Sequence, residues 1–146
     1  MPEQKTLQRA RRDAAEGKSP STQAGEFIRE QIHHIREGKH GARSSKQAIA
    51  IGLSEARRAG VPLAPPKGQG EVTRKARRDV AAGKRRHRPS AKRSRARIKA
   101  LKKEGRSAAS HAALSRQARQ AAKKRGPRAR SQAARKAART RQRSSR

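Results

Sequence analysis

The sequence predicts an all-α protein. A small N-terminal helical unit, one helix plus a helical hairpin, is followed by a Pro/Gly linker and a largely disordered or transiently helical polycationic tail. Three observations predict this. Leu, Ile, Val and Phe total 15 of 146 residues, and ten of them lie before Pro65. That apolar fraction is far below what a chain of this length needs to fold throughout. Ser and Gly punctuate the apolar segments where helices need caps. The charge is also split. Residues 1–66 carry twelve Lys and Arg against seven acids, residues 67–146 carry thirty against three, and no carboxylate follows Glu104.

Residues 6–16 read as a short helix with Leu7, Ala10 and Ala14 on one side and Gly17 as its stop. Lys18 to Thr22 form a connector with Ser21 or Thr22 as the next cap. Residues 24–37 make the most amphipathic helix. Ala24, Phe27, Ile28, Gln31, Ile32 and Ile35 share one face, while Glu26, Arg29, Glu30, His33, Arg36 and Glu37 share the other. Gly38 and Gly41 bracket a turn. Residues 44–60 then form the second arm of the hairpin, with Ser44 or Ser45 as cap, Gly60 as the left-handed stop and Pro62 forbidding continuation. The expected core is Phe27, Ile28, Ile32, Ile35, Ile49 and Leu53. Gly52 makes sense in mid-helix if the two backbones approach closely there, because Gly costs roughly 1 kcal/mol of helix propensity. Ile51 points away from Ile49, so the helix must be covered on two sides or leave Ile51 wet. A second copy of the unit would suit that face.

The organisation expected is a three-helix unit over 1–60, a linker over 61–70 (V-P-L-A-P-P-K-G-Q-G) and a basic tail over 71–146. The tail is a degenerate second copy of the front. A-R-R-D-A-A-E-G-K (residues 10–18) and A-R-R-D-V-A-A-G-K (residues 76–84) agree at seven of nine positions, 66 apart. Pro20-Ser21 then corresponds to Pro89-Ser90, Glu37-Gly38 to Glu104-Gly105, and Leu53-Ser54 to Leu114-Ser115. Gly83, Gly105 and Gly126-Pro127 separate three Ala/Arg/Lys segments, with Ser90, Ser107 and Ser131 as caps. Ala favours helix there, but like charges at i,i+4 (Arg95/Lys99, Lys99/Lys103, Arg119/Lys123, Arg135/Arg139) oppose it.

A net charge of +32 decides the partner class. Such a chain repels itself and calls for a polyanion. The expected phosphate-binding cations are Arg57 and Arg58 at the hairpin tip, with Arg74, Lys75, Arg77, Arg78, Lys84, Arg85, Arg86 and Arg88 after the linker. Lys92, Arg93, Arg95, Arg97, Lys99, Lys102 and Lys103 form the next group. Arg116, Arg119, Lys123, Lys124, Arg125, Arg128, Arg130, Arg135, Lys136 and Arg139 complete it. Binding of this kind is driven by counterion release and carries little sequence information. Readout by the second hairpin arm is disfavoured, since only Lys46 and Gln47 offer polar groups in its first turns. Base stacking needs aromatic platforms, and Phe27 is the one aromatic residue among Phe, Tyr and Trp.

Other classes are excluded or set aside. Without Cys there is no disulfide framework or thiolate chemistry. His33, His34 and His40 read as solvated helix-face residues with no coherent ligand set, so no metal and no cofactor are expected. Gly17-Lys18-Ser19 lacks the Gly and the strand of a P-loop. No nucleophile–base pair with a sheltering pocket is visible, so the chain is not expected to be an enzyme or to take a small-molecule substrate. The longest apolar run, A-I-A-I-G-L, cannot cross a membrane, and the first residues lack a secretory signal. The expectation is a cytoplasmic protein.

Three stretches resemble a known family. G-K-S-P-S-T-Q-A-G-E-F (residues 17–27), I-R-E-G-K-H-G-A-R-S (35–44) and K-Q-A-I-A-I-G-L-S-E-A-R-R-A-G (46–60) are similar to small, uncharacterised bacterial Lys/Arg/Ala-rich proteins. Some members are labelled DNA-binding or plasmid stabilization proteins. The resemblance implies a DNA partner in the bacterial nucleoid. The resulting expectation is a non-enzymatic, mostly sequence-independent, histone-H1-like protein that neutralises and compacts duplex DNA. An RNA-binding or ribosome-assembly role is the alternative, as is a plasmid-maintenance adaptor whose hairpin binds a protein.

Overall fold

A computed structural model describes residues 1–85 and 90–144, with the backbone alone at Ser144. Among the described residues there are six α-helices, one 3-10 turn and no strand. They fall into two compact units, Met1–Ser110 and His111–Arg146.

In the first unit, α1 (Gln4–Ala15) buries Thr6, Ala10 and Asp13 against α2 (Pro20–Arg36). Leu7 is half-buried and Ala14 exposed, so the helix is rotated from the face its apolar residues suggested. Asp13 can turn inward because Lys18 donates to it at 2.9 Å. The cap of α2 is Ser19 rather than Ser21 or Thr22. Its side chain accepts from the Thr22 amide, and Pro20 takes the first helical position, where a missing N–H costs nothing.

The helix α3 (Ser45–Arg58) starts and stops where its caps predict. Ser44 Oγ accepts from the Gln47 amide at 3.2 Å. Gly60 takes φ +92 and its N–H reaches the Arg57 carbonyl, while the Val61 N–H reaches Ala56. The close approach expected at Gly52 is present. A Cβ there would lie 2.7 Å from the Ile28 Cα, so only glycine lets α2 and α3 pack this tightly.

Phe27 is fully buried in a cluster with Ala10, Ala24 and Ala56, flanked by Leu7, Leu53, Val61 and Leu63. Of the expected core, Phe27, Ile32 and Ile35 are buried, whereas Ile28, Ile49 and Leu53 are half-buried. Ile51 takes the first of its two alternatives, a helix covered on both sides. It is 6% exposed, more deeply covered than Ile49. The reason is α4 (Glu71–Lys84), which packs on α3. Ile51 shares the α3 face of Ser54 and Arg58, and both of these bond Asp79 of α4. The wet patch that suggested a second subunit is therefore covered within one chain.

Residues 61–70 form no helix, as a linker should, yet part of the stretch is fixed. Val61 and Leu63 pack on the Phe27 cluster, and the Arg57 guanidinium donates to the Leu63 and Ala64 carbonyls at 3.3 and 3.4 Å.

Leu101, at the end of α5 (Ala91–Leu101), and Ala108 and Ala109, in the 3-10 turn Ser107–Ala109, are buried, and the turn packs on α2 and α3. The Gly41 and Ala42 amides donate to the carbonyls of Leu101 and Gly105. Ser45 Oγ and Arg36 Nε donate to those of Ala108 and Ala109. Gly41 has to be glycine, because a Cβ there would overlap the Glu104 carbonyl.

The second unit is α6 (His111–Ser144), interrupted at Gly126, which takes φ 73 and ψ 169 and is followed by Pro127. Beyond the linker, the described residues are mostly helical, where a largely disordered or transiently helical chain was expected. Helix is present from Glu71 to Lys84, Ala91 to Leu101 and His111 to Ser144. Two physical effects account for it. Contacts with α3 hold α4, and Ala-rich composition favours helix in α6.

Candidate nucleic-acid interface

The cations expected to meet phosphate divide into those the fold uses and those it leaves free. Arg57 is 9% exposed and spans the linker carbonyls. Arg58 donates to Asp79 at 2.7 Å, and Lys75 lies 3.5 Å from the same carboxylate. Asp79 is 2% exposed. Burial alone would raise its pKa. Hydrogen bonds from Arg58 and Ser54 and the Lys75 charge outweigh this and hold it below the ordinary value. At the tip of α3, Arg57 is buried against the linker, whereas Arg58 pairs with α4 and keeps a side chain that is 43% exposed.

The remaining cations of α4 face outward. Arg74, Arg77 and Arg78 are exposed, opposite the buried Thr73, Ala76 and Asp79, and Lys84 and Arg85 extend them. Arg86 and Arg88 lie outside the described residues.

On α5, Lys92, Arg93, Arg95, Arg97 and Lys99 are all exposed, as are Lys102 and Lys103 just after it. Ile98, 42% exposed, sits among Ser94, Arg95, Lys99 and Lys102 in a shallow apolar dip rimmed by charge. On α6 every expected cation is exposed: Arg116, Arg119, Lys123, Lys124 and Arg125 before the break, and Arg128, Arg130, Arg135, Lys136 and Arg139 after it. Arg141 and Arg143 continue the surface. The basic run to the end of the chain was their signal.

Neither α5 nor α6 contains an acid, and among the described residues no cation on either helix pairs with a carboxylate. Among the described residues the ion pairs all lie between Glu3 and Asp79, and those of Arg9 with Glu26 and of Arg58 with Asp79 join α1 to α2 and α3 to α4. Like charges one turn apart cost helix stability in both cationic helices. An external polyanion relieves that repulsion and releases counterions at the same time.

The histidines differ from expectation. His33 is solvated, but the His34 side chain is only 16% exposed, and His40 is buried with Nδ1 3.0 Å from the Gly41 carbonyl oxygen. His34 meets Glu30 and the distant Glu3. The pairing of Glu30 with His34 at i,i+4 was visible in the sequence. Glu3, 31 residues away, was not.

No helix among the described residues is long and apolar enough to cross a membrane. Residues 17–68 match a family of unknown function, DUF6496. The match covers α2, α3 and most of the linker and stops short of the cationic helices. No curated protein and no solved structure matches the chain.

Proposed function

We propose that this chain is a non-enzymatic, mostly sequence-independent DNA-binding protein. In this reading, α5, α6 and the outer face of α4 neutralise duplex phosphates, and α1, α2 and α3 serve as a folded base. The observation that carries the reading is the segregation of charge. The ion pairs among the described residues all involve acids from Glu3 to Asp79, and α5 and α6 carry no acid and display cations with no carboxylate partner among the described residues. One solvated basic run is ordinary surface; two whole helices without a carboxylate are a polyanion surface. The mostly exposed, uniform distribution around α6 suits backbone contact and compaction rather than base readout. A nucleoid location in a bacterial cytoplasm follows from the same proposal.

Phosphates would also support the helicity of α5 and α6 by removing i,i+4 repulsion. Helical circular dichroism should therefore rise on adding duplex DNA at low salt.

The deciding experiment is filter binding to duplex DNA across a salt series. If about ten phosphates are contacted, log K should fall against log salt with a slope of about −9. A slope shallower than about −3 would reject phosphate neutralisation as the source of affinity. Competition with ribosomal RNA in the same assay tests the nucleic acid itself, and preferential displacement by RNA would move the assignment to RNA.

A further inference from the structure

We propose that Glu3, Glu30 and His34 form a binding site for a divalent metal ion of the zinc class, where the start of α1 meets the second half of α2. The ligand set comes from two elements. Glu3 is the residue capping α1. Glu30 and His34 stand one turn apart on α2, so their side chains leave the helix on the same side.

The three ligand atoms lie within 4.8 Å of one another. His34 Nε2 is 2.9 Å from Glu3 Oε1 and 3.8 Å from Glu30 Oε1. Two ligands each about 2.1 Å from a tetrahedral ion sit about 3.4 Å apart, between those two separations. One imidazole and two carboxylates suit zinc or manganese rather than a soft ion such as Cu(I). Three protein ligands leave a fourth position for water.

The second observation is the state of Glu30. Its side chain is 2% exposed. Oε1 accepts the Glu3 N–H at 3.1 Å, but Oε2 is buried with no hydrogen-bond partner, the one such side-chain atom among the described residues. A buried carboxylate oxygen without a donor is costly, and a cation held by both Glu30 carboxylate oxygens would remove that cost. The His34 imidazole does not remove it, because it faces Glu3 and Oε1 and leaves Oε2 alone.

The surroundings fit a metal's outer shell. His40 meets the His34 ring edge-on, with centroids 6.0 Å apart, and restricts its orientation. Lys39 Nζ lies 3.3 Å from Glu3 Oε1 but also 3.1 Å from Glu37 Oε2. It therefore keeps a carboxylate partner when Glu3 turns to an ion.

Calorimetric titration of Zn(II) into the full-length, chelator-treated chain at pH 7 tests the site, alongside the melting temperature. The expected result is saturable binding of one ion per chain with a rise in melting temperature. Glu30→Gln and His34→Gln should each weaken binding at least about 10-fold, and His33→Gln, on the solvated side, should leave it unchanged. Glu3→Gln alters a half-exposed side chain and covers the case in which Glu30→Gln does not fold; it too should weaken binding about 10-fold. The site is overturned by no saturable heat up to about 1 mM Zn(II). Wild-type affinity in Glu3→Gln and His34→Gln would overturn it as well, as would an equal loss in His33→Gln.

Discussion

Two stretches of nearly identical sequence, residues 10–18 at the end of α1 and the turn after it and residues 76–84 in α4, behave alike up to a point and then part. Both form helix, and both bury the same pair of positions, Ala10 and Asp13 in one, Ala76 and Asp79 in the other. Their aspartates are served differently. Asp13 takes a local partner, Lys18, five residues on. Asp79 takes Ser54 and Arg58 from α3, at 2.8 and 2.7 Å. The glycines diverge as well. Gly17 ends its helix at φ 70. Gly83 stays helical, and a Cβ on it would overlap the Arg57 carbonyl. The repeated motif therefore specifies a helix with an inward aspartate, and the neighbouring helix decides what that aspartate does.

The sharpest way to break the comparison is at the aspartates. Asp79→Ala should cost about 2–3 kcal/mol in urea denaturation, because Ser54 and Arg58 lose a buried acceptor. Asp13→Ala should cost about 1 kcal/mol, since Lys18 is partly solvated and keeps Glu16 at 2.7 Å. Equal costs would mean that α4 is not held through Asp79. The glycines come next. Gly83→Ala forces α4 away from α3 and should cost about 2 kcal/mol, whereas Gly17→Ala pays only the left-handed strain, about 1 kcal/mol. Hydrogen exchange should show the first loss spread over α4 and the second confined to the turn after α1.

Acid sharpens the contrast by its sign. Asp79 titrates below its ordinary value in the folded chain. Its contribution is thus present above the ordinary carboxylate range, about pH 4, and is lost as pH falls through the depressed value. Wild type should lose that stability increment on acidification, and Asp79→Ala should not. Glu55 shows the smallest effect and the opposite sign. Its folded pKa is raised, chiefly by burial, so its contribution is present at low pH and lost as pH rises. Glu55→Gln keeps an acceptor for Gln31, which donates to it at 2.7 Å. It should stabilise the neutral-pH protein slightly, on the order of 0.5 kcal/mol. In the second repeat the matching residue is Arg116, an exposed cation.

Local signals in the sequence were legible. The caps Ser44 and Gly60, the hairpin of α2 and α3, and the close approach at Gly52 follow from short-range chemistry. The covering of Ile51 did not, because α4 reaches it across a Pro/Gly stretch that reads as a boundary. Arg57 and Arg58 looked like free charge for the same reason, since their partners, the Leu63 and Ala64 carbonyls and Asp79, lie beyond the helix stop. The exposed surface of α5 and α6 was legible from charge alone. The meeting of Glu3 with His34 was not, as no local periodicity relates them.

The interruption at Gly126 has a consequence for reach. Unbroken, α6 would be a rod of about 50 Å. Divided at Gly126-Pro127, it becomes two links of about 22 and 27 Å, each shorter than one turn of duplex. A two-link chain can follow a winding or curved strand of charge, laying one link along one stretch and turning at the joint to meet the next, where a single rod would touch it only tangentially.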